Sequence, residues 1–173
     1  MKTKLSSPKL TKNLWFQLIL LLLCFQLESC KRKHHSQSSQ NERIEQVIKV
    51  ARTYTGTPYK FGGNNKLGID CSGLLHSAFL EIGIEIPRTT KEQVEYGKHI
   101  EMKDLHAGDW VFFTDKQGSS KITHVGMVTE VHAENDVKFI HAGNKLGVTE
   151  EQLYLNYWQK VYLKAIRPQC FVE

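Results

Sequence analysis

The chain has 173 residues, and the part beyond its first thirty positions suits one domain and leaves no room for a second. Its formal charge is +5, but four of its 23 basic residues and only one of its 18 acidic residues lie within those thirty positions. The remaining 19 basic and 17 acidic side chains carry a net charge of +2, which gives no case for nucleic-acid binding.

The first thirty residues have the pattern of a secretory signal peptide. Four lysines precede an apolar run at 14–25, which is too short to span a bilayer and suits the apolar centre of a signal peptide. Leu27-Glu28-Ser29-Cys30 follows and resembles the lipid-attachment site of bacterial lipoproteins. We therefore expect a signal peptide over 1–30 and a lipid on Cys30. Cleavage as a plain secreted protein and retention as a signal anchor are the alternatives.

Residues 31–42 are polar and have no apolar periodicity, so they are predicted to form a flexible tether before a domain at 43–173. The domain opens with five apolar residues at the spacing of one helical face, which predicts a helix. Asn41 is its expected N-cap and Gly56 its expected end. These residues are Ile44, Val47, Ile48, Ala51 and Tyr54.

A second amphipathic helix begins at Cys71, directly after a polar turn, and is expected to end at Gly83. A thiol in the first turn of a helix lies near unpaired backbone N–H groups, which favour its thiolate form, and the thiolate is the nucleophile. The alternative is a buried structural cysteine, which is common for this residue type. Beyond the helix, residues 90–93 form a capping box that is predicted to open a brief helix ending near Gly97.

The second half of the domain is rich in β-branched and aromatic residues separated by polar turns, which predicts strands at 110–114, 122–132, 137–141 and 161–167. A short helix is expected at 150–158. Helices followed by an antiparallel meander indicate an α+β fold, with N-terminal helices packed on a central antiparallel β-sheet.

Two histidines fall on the predicted strands, His124 in the second and His141 in the third. A cysteine at a helix start with two strand histidines downstream is able to form a Cys–His–polar triad for nucleophilic catalysis. A zinc site from the same three side chains lacks the short ligand spacing of structural zinc sites. A disulfide between Cys71 and Cys170 would need an oxidising compartment and a tail that reaches the helix.

Six short motifs occur in the order found in the NlpC family of bacterial cell-wall cysteine peptidases, which are papain-like, and the chain resembles that family from about 44 to 167. Within it, the chain is most similar to small lipoproteins of the Spr type. The motifs are Gly56-Thr57-Pro58-Tyr59 with Gly62-Gly63, Asp70-Cys71-Ser72-Gly73-Leu74, Pro87-Arg88-Thr89-Thr90 with Gln93, Leu105 with Gly108-Asp109-Trp110-Val111, Thr123-His124-Val125-Gly126, and Ile140-His141-Ala142.

The resemblance implies a role for each residue of the triad: Cys71 as nucleophile, His124 as general base and later acid, and His141 as the residue that orients it. It also implies that Tyr59 lies beside the nucleophile and assists the oxyanion or the substrate. Asp70 and Ser72 line the pocket in relatives that bind a peptide-stem amine, and their alternatives are a turn residue and a helix cap. Arg88 either contacts stem carboxylates or braces the next helix.

The function implied is hydrolysis of an amide bond in peptidoglycan stem peptides through a cysteine thioester, without a metal or other cofactor. The D-Ala–diamino-acid cross-link is favoured over the γ-D-Glu–diamino-acid bond. A lipid on Cys30 would hold the enzyme on a membrane of the cell envelope, facing the periplasm. Lys31 after the cysteine favours the outer membrane. The alternatives are a non-catalytic wall-binding lipoprotein and an amidase or acyltransferase of the same fold.

Overall fold

Four helices and eight strands make up the part of the chain that the computed structural model describes, residues 38–172. The chain divides into two units between Asn41 and Glu42, and every element after α1 belongs to the second unit. In chain order the elements are α1 (38–52), β1 (Asn64–Asn65), β2 (Gly68–Ile69), α2 (Cys71–Glu81), α3 (Thr90–Gln93), β3 (Gly97–Ile100), β4 (Trp110–Phe113), β5 (His124–Ala133), β6 (Asp136–Gly143), β7 (Gly147–Gln152), α4 (Asn156–Val161) and β8 (Tyr162–Pro168), with 3₁₀ turns at Met102–Asp104 and Gln169–Phe171.

Six of the strands form one antiparallel sheet in the order β3-β8-β4-β5-β6-β7, and β1 pairs with β2 separately. β4 to β7 follow one another as a meander, while β8 returns to lie between β3 and β4. Helix α2 lies against β5 and β6. This arrangement confirms the predicted α+β fold with helices packed on a central antiparallel sheet.

Both faces of the sheet are covered, because side chains alternate between the faces along each strand. On β4, Trp110 and Phe112 point into the cluster that contains α2, whereas Val111 and Phe113 point into a second cluster. The second cluster includes Trp158 from α4. Helix α4 therefore covers the face opposite α2 and reaches the middle of the sheet, where the histidines lie.

Three local predictions need correction. Residues 38–40 are already helical, so Asn41 lies within α1 and is not its N-cap; no Gly or Pro interrupts this polar segment. The capping box is one residue earlier than predicted, with Thr89 as N-cap and Glu92 reaching back to it. β3 was not predicted from the sequence, and it forms by pairing with β8.

The predicted helix at 150–158 is wrong over its first six residues, of which three are strand and three are turn or bend. Residues 150–152 belong to β7, which pairs with β6 along its whole length, and α4 begins only at Asn156. Backbone hydrogen bonds between Val148 and the chain at Gly56 and Thr57 hold the outer edge of β7. Strand pairing at long range therefore outweighs the helix propensity of Glu150-Glu151-Gln152.

The predicted signal peptide and Cys30 lie outside the described residues. Within 38–172, no helix is long and apolar enough to cross a membrane.

Candidate active site

Cys71 is the first residue of α2, and Asp70 caps the helix by accepting a hydrogen bond from the backbone N–H of Gly73 at 2.6 Å. The thiol is almost completely buried, and its Sγ lies 3.8 Å from Thr90 Oγ1. This confirms that the cysteine opens a helix after a polar turn, as predicted.

The resting thiol is a weaker acid than the helix N-terminus alone would suggest. Burial raises the pKa of Cys71, and hydrogen bonds from the Val125 backbone and the Thr90 hydroxyl offset only part of that rise. The negative charge of Asp70 raises the pKa further. The expectation of an easily ionised thiol is therefore wrong for the resting state, because desolvation of the thiolate outweighs the helix terminus. Reaction at neutral pH requires a base next to the sulfur.

A candidate base lies on β5, at its first residue, His124. The hydrogen bond to Val125 places the sulfur beside the start of this strand, and His124 is the residue directly before Val125. Nε2 of His124 lies 2.9 Å from Nδ1 of His141, which is on the neighbouring β6. This pairing uses Nε2 of His124 and does not involve Nδ1.

Both imidazoles are neutral at neutral pH. Burial and the neighbouring ring of His141 lower the pKa of His124 to about 3, and burial lowers the pKa of His141 to about 4. Part of the His124 residue still reaches the surface, although its ring stacks on Trp158 with centroids 5.9 Å apart. A neutral imidazole with a free lone pair is the form that accepts a proton.

The hydrogen bonds of the His124–His141 pair extend to two further side chains, Glu151 and Trp158. The sequence did not indicate either of them as part of the site. Nε2 of His141 lies 3.3 Å from Oε2 of Glu151 on β7, and the Trp158 indole N–H donates to the same oxygen at 2.7 Å. Glu151 belongs to the segment predicted as helix, so no sequence signal aligned it with the histidines. The hydrogen-bonded order is His124, His141, Glu151 and Trp158.

Both carboxylate oxygens of Asp70 accept hydrogen bonds from several donors. Its Oδ1 accepts hydrogen bonds from Gly73, Ser72 and Arg88, and its Oδ2 accepts from Gly62 and Arg88. Burial works to raise the pKa of Asp70, but the hydrogen bonds from Arg88 and the backbone keep it below its ordinary value. Asp70 is therefore a charged helix cap whose two oxygens already have five donors.

Ser72 and Arg88 belong to the same cluster as Asp70. The Ser72 hydroxyl donates to Asp70 and accepts from Arg88 Nη1 at 3.0 Å. Arg88 Nη2 also donates to the carbonyl of Gly63 at 2.9 Å. Of the two roles considered for Arg88, this geometry favours bracing, because the guanidinium ties the loop before α2 to the start of that helix.

A cleft of about 780 Å³ opens over the histidine pair. Tyr59 is part of its lining, and the charges of Cys71 and Asp70 add to burial in raising the pKa of the Tyr59 phenol. The two histidines and Trp158 also line the cleft. Three exposed apolar side chains complete this part of the lining, and these are Leu146, Leu155 and Tyr157. The volume is in the range of small-molecule and peptide clefts.

The two thiols of the described segment, Cys71 and Cys170, are both free, so the disulfide considered from the sequence is not formed. Within residues 38–172, no group of three or more His, Cys, Asp or Glu side chains is arranged to hold a metal ion.

Residues 56–167 match the model of the NlpC/P60 family. Over 157 residues the chain is 32% identical to "Probable endopeptidase NlpC" of Escherichia coli K12, covering 86% of this chain and 97% of that protein. Over 115 residues it is 38% identical to "Murein DD-endopeptidase MepS/Murein LD-carboxypeptidase" of the same strain, covering 66% of this chain and 57% of the relative.

A relative from Bacillus subtilis, "Gamma-D-glutamyl-L-lysine dipeptidyl-peptidase", is also 38% identical, over 79% of this chain and 44% of its own length. A solved structure of an NLP/P60 family protein similar to a lipoprotein, from Staphylococcus aureus Mu50, superimposes with a TM-score of 0.62 at 32% identity. That alignment covers 73% of this chain and 41% of the solved chain, so this protein spans less than half of it. The match to the family model at 56–167 spans Cys71, His124 and His141.

Proposed function

Because the chain belongs to the NlpC/P60 family, we propose that it is a cell-wall cysteine endopeptidase that cleaves an amide bond in the peptide part of peptidoglycan, with Cys71 as nucleophile. The observation that carries the proposal is the His124–His141 hydrogen bond of 2.9 Å on two strands that lie against α2, the helix that begins at Cys71. The sulfur accepts a hydrogen bond from the backbone of Val125, the residue next to His124 on β5, and this position supports His124 as the group that takes the thiol proton.

The proposed reaction has two halves. His124 Nδ1 takes the proton of the Cys71 thiol, the sulfur attacks the amide carbonyl, and the resulting oxyanion lies near the backbone N–H groups at the start of α2 and near Tyr59. The imidazolium then gives its proton to the leaving amine, and a thioester remains on Cys71. In the second half, His124 takes a proton from water, the hydroxide attacks the thioester, and the thiol leaves with the proton.

The test is digestion of defined muropeptides by the full chain in detergent micelles, followed by mass spectrometry. Wild-type protein is expected to release products, whereas Cys71→Ala should fold and show background turnover only. Cys170→Ala is the matched control, because it removes the other described thiol, which lies outside the site, and should keep wild-type turnover. Substantial hydrolysis by Cys71→Ala would refute the mechanism.

For the bond cleaved, we propose the D-Ala–diamino-acid cross-link. Cleavage of the γ-D-Glu–diamino-acid bond in a free stem peptide would need a group that binds the terminal amine of that peptide. The family resemblance implies Asp70 for this role. Both oxygens of Asp70 are already used by Arg88, Ser72 and two backbone N–H groups. Sequence identity does not separate the choices, since the two relatives named for different bonds are each 38% identical to this chain.

Turnover of a cross-linked dimeric muropeptide should be compared with turnover of a free tetrapeptide that exposes its L-Ala amine. A higher kcat/KM for the dimer supports the proposal. A strong preference for the free peptide would reverse it and would give Asp70 and Ser72 a direct part in binding the amine.

We also propose that Cys30 carries a lipid and that the enzyme acts from the periplasmic side of the outer membrane. The support is the short apolar run at 14–25, followed by Leu27-Glu28-Ser29-Cys30 and then by Lys31. The short segment between Cys30 and α1 would keep the domain close to the membrane and so restrict it to nearby peptidoglycan.

A further inference from the structure

The second ring nitrogen of His141 is bonded to a residue outside the motifs of the family. Nε2 of His141 lies 3.3 Å from Glu151 Oε2, and Trp158 Nε1–H donates to that same oxygen at 2.7 Å. The His141 side chain is only 5% exposed. The half-buried carboxylate of Glu151, hydrogen-bonded to this buried ring, decides which nitrogen of His141 carries the hydrogen.

The hydrogen-bond partners of His124 and His141 decide which nitrogen of each ring carries the hydrogen. An indole N–H only donates, so Oε2 of Glu151 acts as an acceptor toward Trp158, and as an acceptor toward His141 it requires the hydrogen on Nε2 of that ring. A neutral imidazole has a single N–H, and burial keeps His141 neutral by lowering its pKa to about 4. Nδ1 of His141 is therefore an acceptor, and the 2.9 Å contact requires His124 to donate from Nε2. Nδ1 of His124 is left with its lone pair.

We propose that Glu151 is a positioning residue that acts through His141 to keep Nδ1 of His124 free for the thiol proton. The inference rests on the proposed function, because it names what directs the base of that reaction. When Nδ1 takes the proton from Cys71, the hydrogen on Nε2 stays in place, and no proton passes to Glu151. The carboxylate instead stabilises the imidazolium through the intervening ring.

Trp158 holds the carboxylate in position. Its indole N–H fixes Oε2, and its ring lies 4.9 Å from the His141 centroid and 5.9 Å from the His124 centroid. Trp158 is 8% exposed and is packed against Phe113. Helix α4 thus contributes one side chain that contacts all three members of the hydrogen-bonded group, which restricts the tautomers as well as the ring orientations.

The experiment combines kinetics with NMR of ¹⁵N-labelled imidazoles in the full chain. Glu151→Ala should populate both tautomers of His141 and His124, and kcat should fall about 10- to 100-fold, the range for losing an outer orienting group, with KM nearly unchanged. Glu151→Gln keeps an acceptor oxygen and should restore a single tautomer and part of kcat. Glu150→Ala is the matched control, because this neighbour pairs with Arg52 instead.

A second variant covers the case in which Glu151→Ala fails to fold. Trp158→Phe keeps an aromatic ring and removes the N–H donor to Glu151, and its kcat should fall severalfold without a change in KM. Wild-type tautomers and wild-type kcat in both variants would overturn the inference while leaving the peptidase proposal intact. If the wild-type chain hydrolysed no muropeptide, the peptidase proposal would fail, and the tautomers would still decide the role of Glu151.

Discussion

Both ring nitrogens of His141 are hydrogen-bonded, Nδ1 to His124 and Nε2 to Glu151. Its ring also stacks on Phe139 with centroids 5.1 Å apart. The side chain therefore has little freedom to rotate, and its contribution to the reaction is to hold His124 in one orientation and one tautomer.

Substitutions of His141 separate orientation from proton transfer. His141→Asn and His141→Gln keep a carbonyl oxygen that accepts the Nε2–H of His124, so they should retain kcat within about tenfold of wild type, whereas His141→Ala should lose about 100-fold or more. Steady-state kinetics on a cross-linked muropeptide gives the comparison, and circular dichroism checks that each variant folds. Equal losses in the three variants would contradict an orienting role.

At the scale of the element, the start of α2 is held by an ion pair between the buried carboxylate of Asp70 and the half-buried guanidinium of Arg88, and not by packing alone. Arg88 ties Asp70, Ser72 and the carbonyl of Gly63 together. Gly73 is required at this point because a Cβ there would collide with the Gly63 carbonyl oxygen. The cluster thereby sets the place of the first turn of α2, and so of the Cys71 thiol.

Removal of Arg88 should destabilise the fold because it leaves the buried carboxylate of Asp70 without its charged partner. We expect Arg88→Met to lower the free energy of unfolding by about 3 kcal/mol, as for a buried pair that loses one partner. Arg52→Met is the matched control: Arg52 bridges Glu130 and Glu150 at the surface, where such pairs contribute about 0–1 kcal/mol. Urea denaturation measures both variants, and similar losses would contradict the assigned role of Arg88.

At the scale of the whole molecule, the two buried neutral histidines make the fold sensitive to acid. The pKa values of His124 and His141 are lowered to about 3 and about 4 in the folded protein, from 6.5. The unfolded chain therefore binds more protons between about pH 6.5 and pH 4, so stability falls as the pH decreases through this window.

Thermal unfolding followed from pH 7 to pH 5 tests this linkage. The Tm of the wild-type chain should fall by roughly 5 °C or more, because two histidines must remain neutral on folding. His141→Gln removes one of the two groups and should show a smaller decrease over the same range. An unchanged pH dependence in that variant would mean that other groups cause the loss of stability.

The proposed lipid anchor is also a property of the whole molecule. In cells that express the chain and are labelled with a radioactive fatty acid, the wild-type protein should carry the label and fractionate with the membranes. Cys30→Ala should lose the label and the association with membranes. Cys24→Ala is the matched control, because Leu23 before it makes Cys24 a poorer attachment site. A label that persists in Cys30→Ala would exclude Cys30 as the attachment site.

Periodicity and motif order in the sequence were enough to predict the α+β fold and the helix that begins at Cys71. They also placed His124 and His141 on strands. These features depend on local spacing: alternation along β5 and β6, and an apolar stripe along α2. The family resemblance then named the three side chains as one group, and the structure places both histidines on neighbouring strands against α2.

Only the tertiary structure brought Glu151 and Trp158 to this group and gave Asp70 its partners. Glu150-Glu151-Gln152 favours a helix locally, but pairing with β6 makes it a strand and turns Glu151 toward His141. Similarly, the first turn of α2 favours a thiolate, whereas burial against β5 raises the thiol pKa instead. Both outcomes come from contacts between residues far apart in the chain, because desolvation and strand pairing depend on what folds against a segment rather than on its own sequence.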